Sequence, residues 1–179
     1  VEGSTLSEKE AQSVLAGKTV QGHPISEIRE LLNYRSSVEW LIQQFDCSPY
    51  LSRDLLLDFH RKLFQGFGGE YGRWKTLQNY TYLSSGKRHD YEQPTQVESL
   101  MRKWIDQFNL SSFNEKIAAH LYYEFQQIHP FEDGNGRIGR ILIAYWLHWK
   151  NGSSFEFRLA DKTEHLMALE AANESNFDP

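Results

Sequence analysis

Cysteine is nearly missing. Cys47 is the only one in 179 residues, so no intrachain disulfide can form, and nothing suggests a cysteine-built zinc site. That scarcity fits a reducing, cytoplasmic location. Positive charge is in deficit, with 19 Lys plus Arg against 24 Asp plus Glu and a net charge of -5. The overall field therefore repels polyanions, which argues against nucleic acid or an acidic membrane as a partner and leaves room only for a local pocket for a small anion. Long apolar runs are also lacking: the longest uncharged apolar stretch, Ile141 to Trp149, contains His148 and falls far short of the roughly 20 residues that cross a bilayer. Five prolines and twelve glycines are spread thinly, with no repeat or low-complexity tract. The composition is that of one globular domain over 1–179, large enough to bury a full core. The chain opens on Val1 rather than Met, without a basic or apolar leader, and reads as a fragment of something longer.

What the sequence has in abundance is helical periodicity. Thr5-Leu6-Ser7-Glu8 has the pattern of a capping box and predicts a short helix to Leu15, stopped by Gly17. Ile28, Leu31, Arg35, Val38, Ile42 and Phe45 recur at three- and four-residue steps, the spacing of one face of a long helix that Pro49 ends. Ser52 caps a helix carrying Leu55, Leu56, Phe59 and Leu63, which runs out in Gly66, Gly68 and Gly69. Thr95–Glu98 and Ser112–Glu115 are two further capping boxes, each opening an amphipathic helix, and a buried helix follows from Arg137 to Lys150. A last helix starts near Asp161 and carries Leu166 and Leu169. The exception is 77–91, where Tyr80, Tyr82 and Tyr91 flank a Ser84-Ser85-Gly86 turn, so a two-stranded hairpin and an irregular loop both fit. As a hairpin its unpaired edge would suit an extended peptide docking as an added strand.

Chemistry concentrates between two apolar helices, in His129-Pro130-Phe131-Glu132-Asp133-Gly134-Asn135-Gly136-Arg137-Ile138-Gly139-Arg140. Gly134 and Gly136 permit positive backbone dihedrals and close approach. A helix starts right after them, so its first N–H groups and the positive end of its dipole face the turn, which suits an anion. Arg137 and Arg140 lie three apart on the first turn of that helix, where cations oppose the dipole by about 0.3–1 kcal/mol each. A phosphate between them would reverse that penalty, since guanidinium forks match phosphate oxygens. Asp133 would repel a bare phosphate but becomes a ligand if Mg²⁺ accompanies it. His129, with an ordinary imidazole pKa of about 6.5, is a usable neutral base. Taken singly, each residue has a plainer reading: a structural histidine, a simple turn, a helix cap, a solvated arginine face. Their contiguity favours phosphate chemistry.

The same string resembles the signature of the Fic domain family, H-x-F-x-(D/E)-G-N-G-R-x-x-R, with every fixed position filled. The likeness extends to the helical layout and the hairpin, and so implies an all-α, Fic-type helical bundle with one small β-hairpin, the flap at 77–91, over the active site. It implies transfer of AMP from Mg-ATP to a Ser, Thr or Tyr hydroxyl of a target protein. By that resemblance His129 is the base and Phe131 anchors the loop. Asp133 holds Mg²⁺, Gly134-Asn135-Gly136 forms the anion hole, and Arg137 to Arg140, including Ile138 and Gly139, lines the phosphates. Lys75 to Tyr82 is similar to the flap's first strand and Pro94 to the end of its second, so Gln78, Asn79, Tyr80, Thr81 and Tyr82 are the target-docking residues. Leu169–Asn173 resembles the adenine-side segment, which makes His165 and Asn173 the candidate base contacts. Glu2-Gly3 looks like the end of the family's inhibitory helix, here in segment 1–16, and implies autoinhibition through Glu2 pairing with Arg140. Removal of AMP from a modified protein, and a nucleotide-binding or toxin-regulating module with little turnover, are the alternatives. Self-modification and self-association are both open.

Overall fold

The computed structural model describes residues 5–152 and 162–175. Among them are seven helices and one two-stranded sheet: α1 Glu8–Leu15, α2 Ile25–Cys47, α3 Arg53–Leu63, β1 Tyr80–Tyr82, β2 Arg88–Asp90, α4 Pro94–Leu110, α5 Glu115–Ile128, α6 Asn135–Asn151 and α7 Lys162–Ser175. The expected all-α bundle with a single hairpin is what forms. The chain divides into two compact units, Val1–Arg73 with α1 to α3, and Trp74–Pro179 with the hairpin and α4 to α7. No helix among the described residues is long and apolar enough to cross a membrane.

In the first unit, α1 is capped by Ser7 rather than Thr5. The Ser7 hydroxyl accepts from the Glu10 N–H at 3.3 Å, and the Glu10 carboxylate accepts from the Ser7 N–H at 2.9 Å. Thr5 is drawn elsewhere: its hydroxyl donates to Glu27 at 3.0 Å, and the Leu6 N–H joins the same carboxylate at 3.1 Å. On α2 the buried line runs through Ser37, Leu41 and Phe45, while Ile42 is 46% exposed. Of the stripe read from the sequence, Phe45 is buried, Ile28, Leu31 and Val38 are half-buried, and Arg35 and Ile42 are exposed, so the inward face is centred nearer Leu41. The Ser52 side chain caps α3 as expected, accepting from Leu55 N–H at 3.1 Å.

In the second unit, Tyr80 pairs with Asp90, Thr81 with His89 and Tyr82 with Arg88. Two predicted starts shift. Helix α4 opens with Pro94 in its first turn and Gln93 at the cap position, without a side-chain cap. Proline is pre-organised for that place because the N–H it lacks would have no intrahelical acceptor. Helix α5 is capped by Asn114, whose side chain accepts from Lys116 N–H at 2.8 Å, not by Ser112. Helix α5 packs against both α4 and α6. The buried interior is aromatic: Trp104 and Trp146 are almost fully enclosed, and their indole N–H groups donate to the carbonyls of Leu121 and Phe108, each at 2.8 Å. Those bonds remove the cost of burying a polar indole nitrogen. At Gly139 the face of α6 lies tight against α5. A Cβ there would collide with the Gln126 amide and lie 3.1 Å from the Phe125 ring.

Candidate active site

Helix α5 ends at Ile128, and His129 turns the chain with φ 47° and ψ 60°, left-handed backbone that is rare for a side-chain-bearing residue. It is the only non-glycine residue with positive φ among the described residues. The loop then dives into the core, where Phe131 is completely buried and packs on Trp74 with ring centroids 5.3 Å apart. Gly134, at φ 85° and ψ 1°, launches α6. Asn135 closes the loop: its oxygen accepts from Phe131 N–H at 2.9 Å, and its amide nitrogen donates to the Phe131 carbonyl at 2.8 Å. Both bonds are buried, so one side chain serves both backbone polar groups of Phe131.

The first intrahelical bond of α6 runs from Ile138 N–H to Gly134 carbonyl at 3.0 Å. The N–H groups of Asn135 and Gly136 precede it, at the positive end of the helix dipole. Arg137 is buried, and its guanidinium lies 3.3 Å from Asp133 Oδ2. Asp133 itself is 68% exposed, with Oδ1 accepting from Gly134 N–H at 2.6 Å. Arg140 follows one turn later, half-buried. Ile138 is fully buried, and Gly139 faces α5. Asp133 through Arg140 thus come together around one helix start.

His129 is oriented on two sides. Its ring stacks on Tyr91 with centroids 3.8 Å apart and planes 12° from parallel. Nδ1 lies 3.3 Å from the Gln126 carbonyl. A carbonyl can only accept, so Nδ1 carries the proton and Nε2 keeps its lone pair. Burial pushes the imidazole down from 6.5 to about 4. The Lys75 ammonium and His89 push the same way, while the Gln126 carbonyl and Asp133 resist. The ring is therefore neutral well below pH 7, further than its ordinary value implied.

The hairpin is rooted in this loop. Asn79 donates to the Phe131 carbonyl at 3.0 Å, Thr76 Oγ1 donates to Glu132 at 3.2 Å, and Gln78 donates to the Tyr91 carbonyl at 2.6 Å. The side chains of Gln78 and Asn79 thus hold the hairpin in place, while Tyr80 and Tyr82 stand out, 51% and 65% exposed. Thr81 sits on the inner face with His89, which meets Gln127 at 3.1 Å. At the tip, Ser84 gives its N–H and its hydroxyl to the Glu170 carboxylate on α7, at 2.9 and 2.5 Å. His165 and Asn173 belong to α7, but their side chains lie outside the described residues, as does Glu2. The sequence reading passed over Trp74, Lys75 and Tyr91 as site residues. They reach the loop from 38 or more positions away in the chain, and no local pattern marks such a contact.

Among the described residues no three His, Cys, Asp or Glu side chains gather into a metal cage. A cage was not required, because magnesium keeps several waters and is commonly held by one or two carboxylates with phosphate oxygens completing the shell. The exposed Asp133 carboxylate beside an anion-binding helix start fits that pattern.

The bend between α5 and α6 thus joins a neutral histidine to a cationic helix start. The family model described as "Fic/DOC family" matches residues 50–147, more than half of the chain, and the chain belongs to that family. It is 26% identical over its whole length to the protein adenylyltransferase Fic of Drosophila mojavensis and 25% identical to the protein adenylyltransferase fic-1 of Caenorhabditis elegans. In each case it spans about a third of the relative, 36%. Its fold is similar to a Fic domain containing signaling protein from Bacteroides thetaiotaomicron, with a TM-score of 0.88 and 26% identity over 97% of this chain and 68% of the other. It is also similar to residues 134–508 of C. elegans Fic-1, with a TM-score of 0.74 and 26% identity over 96% and 52%.

Proposed function

We propose that this chain is the catalytic domain of a protein adenylyltransferase, which transfers AMP from ATP to a Ser, Thr or Tyr hydroxyl of a target protein. The observation that carries the reading is the orientation of His129: a neutral imidazole, Nδ1 turned to a carbonyl and Nε2 left as acceptor, at the mouth of a cationic helix start. The target hydroxyl gives its proton to Nε2 as its oxygen attacks the α-phosphorus. The bond from that phosphorus to the bridging oxygen of the β-phosphate breaks, and pyrophosphate leaves. At the turn that Gly134 makes, the N–H groups of Asn135 and Gly136 with the Arg137 guanidinium stabilise the charge on the phosphate oxygens. Arg140 binds the outer phosphates, while Ile138 and Gly139 set the helix against α5. Asp133 would hold the magnesium ion, which neutralises phosphate charge when bound. Tyr80, Thr81 and Tyr82 present the strand on which the target aligns, and His165 and Asn173 take the adenine side.

Glu2 restrains this activity by pairing with Arg140 and excluding the outer phosphate. Label from α-³²P-ATP should pass to protein with the wild-type chain and vanish with His129→Ala; retained transfer would remove His129 as the base. Glu2→Gly should raise the rate, and an unchanged rate would remove the restraint. AMP release from a pre-modified target, in the absence of ATP, is the outcome that would point to the reverse reaction.

A further inference from the structure

Lys75 is 3% exposed, an unusual place for a lysine, since taking an ammonium out of water costs several kcal/mol. It makes two contacts with the active-site loop. Its Nζ donates to the Ile128 carbonyl at 3.1 Å, and its main-chain N–H donates to the Pro130 carbonyl at 2.8 Å. Those carbonyls flank His129, the residue whose left-handed backbone costs about 1–3 kcal/mol and persists only if its surroundings over-determine it. The ammonium also stands 6.0 Å from the centre of the Tyr91 ring, the ring on which the imidazole is stacked. One residue therefore grips the chain before and after the base and supports the ring beneath it.

We propose that Lys75 is a positioning residue for His129, clamping the two peptide carbonyls on either side of it so that the strained backbone aims Nε2 at the reacting phosphate. The clamp rests on the adenylyltransferase reading for its purpose, but its geometry does not. A neutral donor could hold the Ile128 carbonyl equally well; a cation adds something more. It complements the C-terminal end of α5, where unpaired carbonyls gather, and it opposes a proton on the imidazole. The other groups that bear on that proton are His89, which opposes it, and Asp133 and the Gln126 carbonyl, which favour it. Burial pushes Lys75 itself down to about 8, against the pull of Glu92, so it remains mainly charged at neutral pH.

The test uses the 179-residue chain with Lys75→Met, Lys75→Gln and Lys75→Arg. Histidine ring NMR, with His129 assigned by its loss in His129→Asn, gives the imidazole midpoint and tautomer without turnover, and label transfer gives kcat and the KM for ATP. In Lys75→Met the midpoint should rise by about one pH unit and kcat fall about 10- to 100-fold, with KM nearly unchanged. Lys75→Arg should restore both, and Lys75→Gln, which keeps a donor without charge, should raise the midpoint but lose less kcat. An unchanged midpoint in Lys75→Met, or an arginine variant no better than the methionine one, overturns the clamp. If the methionine variant does not fold, the glutamine variant decides by the same readings; if neither folds, Lys75 is a residue of the fold and the inference is overturned. A wild-type chain that transfers no label but shows the depressed midpoint refutes the adenylyltransferase reading while leaving the clamp standing.

Discussion

Lowering the pH loosens the folded chain at His129 by an amount that the site itself sets. Burial holds the folded imidazole near 4 against the ordinary 6.5, so between those values the unfolded chain binds a proton that the folded chain refuses. Stability from this group is fully present above pH 6.5 and drains away as pH falls towards 4. At ~1.4 kcal/mol per pH unit the limiting loss is about 3.5 kcal/mol, and near pH 4.5 it is about 2.5 kcal/mol. Water reaching the partly open ring edge trims both figures. The comparison is His129→Asn, which does not titrate and tolerates left-handed backbone better than most residues. Urea unfolding followed by tryptophan fluorescence suits the chain, because Trp104 and Trp146 are buried. The difference between wild type and variant should shrink in favour of the variant by about 2–3 kcal/mol from pH 7 to near pH 4.5. A difference that stays constant across that range would refute the claim that the imidazole is held neutral by burial.

Two further perturbations follow from the packing. Asn135→Ala removes both buried bonds to the Phe131 backbone and leaves its N–H without that acceptor, while the carbonyl keeps Asn79; it should cost about 1–3 kcal/mol, read as a lower denaturation midpoint with an unchanged slope. Gly139→Ala forces a methyl into the Gln126 and Phe125 side chains and should cost about 1–3 kcal/mol, which for a chain of this size lowers Tm by roughly 2–4 °C per kcal/mol.

The loop from His129 to Arg140 was legible because its chemistry is contiguous: turn residues, cations and a base follow one another on the strand of text. Helices were legible wherever one apolar stripe faced one neighbour, as on α3 and α4. The caps were less so. Thr5, Ser7, Thr95, Ser112 and Asn114 are all competent capping residues, and a distant partner decided one choice and a chain neighbour another: Glu27 takes Thr5, and Pro94 pre-empts Thr95. The supports of the base were not legible at all. Lys75 looked like the start of the hairpin's first strand and Tyr91 like one more strand-forming tyrosine, and only the fold brings them to the imidazole.

Two strands of three residues each cannot keep their own shape in water. This hairpin is pinned at its root by Asn79 and at its crest by Ser84 holding Glu170, so it behaves less like a lid than like a ruler screwed down at both ends. A polypeptide laid along it would be measured off in fixed steps from the imidazole, and any swing of α7 would shift the scale.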